Sequence, residues 1–401
     1  MNKKQFIILL VLVVVLGLWG MSRWRGQTSS YSGGGNSVGQ KLLGDFDVNA
    51  VVQLAVKQGT NELLLAKKDD VWRVAQRDNY PADFAGISSL LVKLKNIKVV
   101  QTEQVGASQL PRLELAPGGK TEPTSVEFRD ASGKAIKTLT LGKKHMQVSG
   151  QDSAMDEMGG GGGYPDGRYV QVSGAVRAVS VISDPLTDVE PGAGRWLNKS
   201  FFKIEKPKSI SLTFAEATNS WTLTRETEGG QWKLAEAKAE EKLDAGKSAG
   251  VTAPFGSPTL NDVAVGLTPE QSGLDKPTVI KVATFDGFEY TVNIGAKKNE
   301  NYLLTVAVVG NFPKERVAVA DEKPEDKAKA DKEFADNLKR LEEKLATETM
   351  FGKWTYQVAT WTVDPLLKKR FELVEEKSAE TKATGTDSGG SPQTGASPPG
   401  A

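Results

Sequence analysis

Apolar periodicity along the chain predicts the same succession of elements twice. In the first copy, Val51-Val52-Gln53-Leu54-Ala55-Val56 and Glu62-Leu63-Leu64-Leu65-Ala66 read as strands, turned by Gln58-Gly59-Thr60-Asn61. Lys67-Lys68-Asp69-Asp70 then turns the chain into a third strand, Val71-Trp72-Arg73-Val74-Ala75. Pro81-Ala82-Asp83 opens a helix with Asp83 as N-cap. Phe84, Ile87, Leu90, Leu91, Leu94 and Ile97 fall on one face, and Lys93, Lys95 and Lys98 mostly fall off it. Such a stripe covers one face of a sheet. A hairpin follows, Ser125 to Arg129 and Ile136 to Leu141, around Asp130-Ala131-Ser132-Gly133. After a glycine-rich interruption, Arg168 to Val172 and Ala178 to Ile182 resume as strands. Asp184-Pro185-Leu186 ends the copy, because proline cannot donate within a central ladder.

The second copy repeats Trp72 in Gln231-Trp232-Lys233-Leu234-Ala235. It repeats Pro123-Thr124 in Pro277-Thr278 and Leu141-Gly142-Lys143-Lys144 in Ile294-Gly295-Ala296-Lys297-Lys298. Its end, Asp364-Pro365-Leu366, matches Asp184-Pro185-Leu186. A helix begins near Leu243-Asp244, but Pro254 and Pro258 follow. Proline inside a helix costs about 3 kcal/mol, so this helix is expected to be short or broken. After the strand from Tyr302 to Val309 comes an insertion, 321–347, rich in Lys, Glu and Ala. Phe334, Leu338, Leu341 and Leu345 recur there at helical spacing, the pattern of a solvated surface helix. Trp354-Thr355-Tyr356-Gln357-Val358 returns to strand. The repeat is much longer than a solenoid period. The expected class is therefore α+β: two tandem duplicated modules of antiparallel sheet with a covering helix, 42–190 and 191–375.

Residues 1–4 are a short basic lead, and Phe6 to Trp19 run without a charge. Residues 5–22 approach the ~20 apolar residues that a bilayer core needs, which predicts one N-terminal transmembrane helix. Trp19 and Trp24 suit the far interface, beside Arg23 and Arg25. Gly20-Met21-Ser22 offers no clear small-x-small cleavage site, so an uncleaved anchor is expected over a signal peptide. Residues 23–41 form a Ser/Gly-rich tether and 376–401 a disordered tail. The expected location is the cytoplasmic membrane, single-pass, with the bulk of the chain on the periplasmic or extracytoplasmic side.

Composition narrows the chemistry. A net charge of +1 supplies no global field for nucleic acid. The cysteine count of 0 removes disulfides, thiolate metal sites, a Cys nucleophile and a lipidated N-terminal cysteine. His145, the 1 histidine, follows a strand end with no partner visible in the sequence, and no Gly-x-Ser-x-Gly motif stands out. Asp152, Asp156, Glu157 and Asp166 flank Gly159 to Gly163. Their spacing is not that of an EF-hand, which favours a solvated loop over calcium in 152–166. Trp72, Trp221, Trp232, Trp354 and Trp361 mostly fall in strand-like runs, which favours packing over sugar stacking. No catalytic, cofactor-binding or metal-binding residue is assigned, no cofactor is expected, and the binding surface is left open.

The Trp-bearing strand, the Pro81-Ala82-Asp83 helix, Gly273-Leu274-Asp275-Lys276-Pro277-Thr278, the Ile294-to-Lys298 strand end and Tyr302 together resemble the DUF4340 family over roughly 42–375. The resemblance implies an N-terminal membrane segment and a duplicated extracytoplasmic α+β region. It also implies association with ABC-transporter systems of the gliding-motility auxiliary type, and it transfers no catalytic residue. The expectation is a membrane-anchored, non-enzymatic accessory protein whose partner is an ABC transporter permease or auxiliary subunit. The alternative is a cell-wall or polysaccharide-binding envelope module. The broken second helix and the lysine-rich insertion depart from the family pattern.

Overall fold

Alternating burial builds two antiparallel sheets. β6 (Thr124–Arg129) buries Thr124, Val126 and Phe128, and β15 (Phe288–Lys298) buries Phe288, Tyr290, Val292 and Ile294. Period-two burial gives each sheet one core face, and each large side chain removed from water contributes about 1.5–3 kcal/mol. The computed structural model describes residues 38–147, 164–174, 178–239, 241–317 and 322–375. The expected anchor, most of the tether, the run 152–163 and the tail lie outside the described residues. Among the described residues no helix is long and apolar enough to cross a membrane.

The first sheet comprises β1 (Gln53–Gln58), β2 (Asn61–Lys68), β3 (Val71–Val74), β4 (Tyr80–Pro81), β5 (Val99–Gln104), β6, β7 (Ala135–Gln147), β8 (Tyr164–Val172) and β9 (Ala178–Ile182). Its order is β4-β3-β2-β1-β6-β7-β8-β9-β5. The second comprises β10 (Pro207–Thr213), β11 (Trp221–Thr224), β12 (Lys233–Leu234), β13 (Leu260–Ala264), β14 (Thr278–Thr284), β15, β16 (Asn301–Gly310) and β17 (Thr355–Ala359). Its order is β12-β11-β10-β14-β15-β16-β17-β13. Set side by side, the two orders are the same path, with β4 as the one addition. The expected repeat is therefore present as topology.

The covering helix spans Phe84–Asn96 and buries Ile87, Leu90, Leu91 and Leu94. Phe84 departs from expectation, being 64% exposed. At 3.6 residues per turn it lies about 70° from the centre of the buried stripe, at its margin. Asp83 occupies the N-cap, and its carbonyl accepts from Ile87 N at 3.1 Å, but its side chain makes no capping bond. The carboxylate lies against Gly86 instead, where an added Cβ would be 2.7 Å from Oδ2. The second copy's helix is one turn, Ala245–Ser248. It is capped by Asp244, which accepts from Lys247 N at 3.0 Å, and a 3-10 turn follows. The insertion forms a helix over Pro324–Thr349 that packs on β16 through its C-terminal part.

One local device recurs in both sheets. Gly142 in β7 and Gly295 in β15 hold equivalent positions, since each follows the residue opposite the first residue of the neighbouring strand. A Cβ on Gly142 would meet the carbonyl oxygen of Leu113 at 2.4 Å, and one on Gly295 would meet that of Ser272 at 2.2 Å. In each case the segment preceding the hairpin crosses the strand with its backbone where a side chain would stand. Register slips immediately beyond, between Leu141 and Lys144 and between Ile294 and Lys297. Opposite the bulge, Arg168 pairs with Lys144 as Tyr302 pairs with Lys297. Arg168 donates to the carbonyls of Gly142, Pro185 and Leu186, and Tyr302 donates to the Asp364 carboxylate at 2.7 Å. Each thereby fastens the Asp-Pro-Leu turn to the strand that faces the bulge.

Gly142→Ala and Gly295→Ala are each expected to cost about 1–3 kcal/mol in urea denaturation, the range for overpacking a rigid site. Gly192→Ala, where nothing lies within 4 Å of the added Cβ, should change stability little.

Candidate functional site

Two places gather side chains with chemical potential: the junction between the sheets and a cavity at the outer edge of the first. The junction begins with local sequence. After β3 the chain makes a short 3-10 turn, Ala75–Arg77, and then places Asp78 and Asn79 at φ 53° and 54°. Asp and Asn tolerate this left-handed region better than most residues. The turn sends Arg77 outward and bares the Asp78 carbonyl. Arg77 then grips Asp262 of β13 with both arms, Nε–Oδ1 at 2.6 Å and Nη2–Oδ2 at 2.8 Å. The Asp262 hydrogen bond raises the Arg77 pKa above its ordinary value. Trp354 donates its indole N–H to Asp78 O at 3.0 Å and meets the Tyr80 ring edge-on at 4.9 Å.

The segment 193–199 fills the space between. Leu197 bridges Ala82, Asp83 N donates to Trp196 O at 2.8 Å, and Asn198 N donates to Pro81 O at 2.9 Å, so β4 is covered. On its other side, Lys199 Nζ reaches Asn261 O at 2.6 Å, and an added Cβ on Gly194 would be 3.0 Å from Asp262. Burial lowers the Lys199 pKa.

The cavity, about 660 Å³, is lined by Glu103, Arg112, Lys143, Lys144, His145 and Tyr169 among others. His145 has the partner its sequence context hid: Nδ1 lies 2.6 Å from Asp166 Oδ1. The bond joins the two ends of the hairpin that flanks the glycine-rich run, so Asp166 belongs to a strand and not to a solvated loop. The Tyr169 ring lies 5.9 Å from the imidazole, and burial together with the Glu103 charge raises the Tyr169 pKa. A His–Asp pair orients an imidazole. No serine, threonine or further base hydrogen-bonds this one among the described residues.

The tryptophans divide. Trp72, Trp196 and Trp221 are buried, and Trp232 lies beneath the Arg225 guanidinium at 4.8 Å. Trp361, expected to pack, is 65% exposed on a helical turn, Thr360–Val363, that interrupts strand character. Among the described residues no three acidic or imidazole side chains gather as a metal site.

A family model described as "Domain of unknown function (DUF4340)" matches residues 72–277, just over half of the chain. The chain belongs to the DUF4340 family. The match runs from the β3 tryptophan to the residue before β14, so it takes in the Arg77–Asp262 pair and the cavity. Neither a curated protein nor a solved structure matches this DUF4340 chain.

A buried carboxylate lies elsewhere. Glu348, at the end of the long helix, accepts from Tyr290 OH at 2.6 Å and Lys203 N at 3.4 Å. Burial raises its pKa above the ordinary 4.5 despite these bonds, and burial with the Glu348 contact pushes the Tyr290 hydroxyl up.

Arg77→Ala and Asp262→Ala are each expected to cost about 1–2 kcal/mol, with a coupling near 1 kcal/mol in a double-mutant cycle read by urea unfolding. Glu348 gives a pH signature. Its folded pKa exceeds its unfolded value, so its contribution to stability falls as pH rises from 4.5 through the folded value. Glu348→Gln should remove that slope, so that stability in a pH series of denaturation curves falls less on going from acid to neutral pH than it does in the parent chain.

Proposed function

We propose that this DUF4340 chain is a membrane-anchored, extracytoplasmic accessory protein without enzymatic activity, acting as a partner of an ABC-type transport or envelope system. The observation that carries the reading is the locked junction. A bidentate ion pair, an indole hydrogen bond and a shared backbone segment bind two like sheets, and one buried cluster runs through both. That is the construction of a rigid platform. A two-lobed enzyme would instead keep a cleft between its lobes that opens and closes on substrate. The apolar run 5–22 supplies the anchor, and the first described residues, 38–41, join the body beside the start of β5, with Gly39 N donating to Val99 O at 2.8 Å.

The glycan-binding alternative needs a row of exposed rings. Among the described residues the strongly exposed rings are Phe84, Tyr164, Trp361 and Phe371, each on a different element, which favours the accessory reading.

Affinity capture of the full chain from gently solubilised membranes, after cross-linking in intact cells, is expected to recover a multi-span permease and its ATPase. External protease should digest the body in cells whose outer layers have been opened. Recovery of unrelated abundant proteins alone, or a body that is protected until the cytoplasmic membrane is lysed, would count against the reading.

A further inference from the structure

The cavity beside His145 owes its charge to one structural event. In a regular strand Lys143 and Lys144 would point to opposite faces. The register slip between Leu141 and Lys144 breaks that alternation, and both lysines line the same cavity. The slip lies beside Gly142, where the crossing segment Ala107–Leu113 presses its backbone into the strand, and that segment brings Arg112 to the same place. Three cations are thereby gathered, and among the described residues none of them has a carboxylate within ion-pair distance. Glu103 shares the cavity, but its carboxylate accepts from Gln101 at 3.0 Å. Asp166 is engaged with His145.

The second sheet provides the comparison. It carries the same glycine, the same crossing and the same slip, and its lysine, Lys297, is neutralised within the chain by Asp364 at 3.3 Å. The corresponding acid of the first copy, Asp184, is taken by Lys93 of the covering helix at 2.9 Å. Among the described residues one bulge has its charge answered by a carboxylate and the other does not.

We infer that the first-sheet cavity binds a multiply charged oxyanion of the phosphate class, held by Arg112, Lys143 and Lys144 beside the His145–Asp166 pair. Phosphate oxygens accept from both lysine ammonium groups and from the planar guanidinium. The slipped strand contributes two charges to the lining and the crossing segment contributes the third. The cavity is open and polar, which suits a phosphate group on a larger carrier as well as a free ion.

The 1 histidine makes the test clean. Full-length protein in mild detergent, labelled at histidine Cε1, is titrated with pyrophosphate at low ionic strength and followed by NMR. A saturable shift of the single imidazole signal is expected. Lys143→Ala with Lys144→Ala should weaken the affinity roughly tenfold or more, and Arg112→Ala should act in the same direction. All three side chains are exposed, so these variants should fold. Lys297→Ala should leave the affinity unchanged. Vesicles with phosphatidylglycerol, zwitterionic vesicles and a glycerol-phosphate polymer separate the sources. Lysine-dependent binding tighter than that of pyrophosphate identifies a headgroup or a polymer, and pyrophosphate as the tightest identifies a soluble ligand. An absent or unsaturable shift, a shift reproduced by chloride at matched ionic strength, or an affinity indifferent to the lysine substitutions overturns the inference.

Discussion

Sheet edges are the constraint on which the molecule depends. An open edge presents unpaired backbone groups, and a chain with two sheets has four edges to manage. Here two of the four are settled together. The segment 193–199 bonds to β4 on one side and lies against β13 on the other, while the Arg77–Asp262 fork spans it. Because that segment also links the two halves in sequence, the connection is itself the seal. The consequence is directional. The joined edges fix the sheets to each other; of the remaining two, β5 is paired at its start by residues 39–40 and β12 ends the second sheet. The outer cavity stands at the far end of β5, so its cluster of Arg112, Lys143 and Lys144 lies away from the junction.

The two copies share a path but not its chemistry. Where the crossing carbonyl demands glycine, both copies have it, because no other residue fits at 2.2–2.4 Å. Where the requirement is only that something long reach the Asp-Pro-Leu turn, the residues differ. Arg168 is largely buried and satisfied by three carbonyl oxygens, and burial pulls its pKa down, although a guanidinium keeps its charge. Tyr302 does the same with a hydroxyl, which, ahead of Lys297, lowers the Asp364 pKa. Steric requirements were thus kept through the repeat, and electrostatic solutions were exchanged.

That distinction explains what was legible in the sequence. Strands, hairpins, the covering helix and the proline-broken helix follow from local pattern, and the matched tryptophans hold equivalent register. Val74 pairs with Leu65 as Leu234 pairs with Leu223, so Trp72 and Trp232 each lie two residues before the paired position. The matched Asp-Pro-Leu turns are less equivalent. A helical turn, Thr360–Val363, separates β17 from the second, whereas the first follows β9 almost at once. Arg77 and Asp262 are 185 positions apart and carry no local signal of their pairing. His145 and Asp166 are 21 apart across a glycine-rich run, and only the strand register brings them together. Phe84 and Trp361 were misplaced for a simpler reason. Periodicity assigns a residue to a face but does not say where the covered surface ends.

The long helix shows what a buried charge can do for geometry. The β8-to-β9 connection of the first copy is short, whereas β16 reaches β17 through a helix of 26 residues. The helix buries Leu341 and Glu348, with Leu345 partly covered, and its preceding turns are largely exposed. An apolar residue at 348 would dock the helix at least as strongly, since a buried carboxylate loses its hydration. Glu348 instead accepts two directional hydrogen bonds, from Tyr290 and from the backbone of Lys203, with Lys344 at 3.8 Å. Those bonds hold the helix against sliding along its own axis, which an apolar contact resists poorly. The 17 residues from Pro324 to Arg340 then run on as a charged helix of roughly 25 Å at 1.5 Å per residue, tied a second time where Asp331 accepts from Arg316 Nε at 2.8 Å.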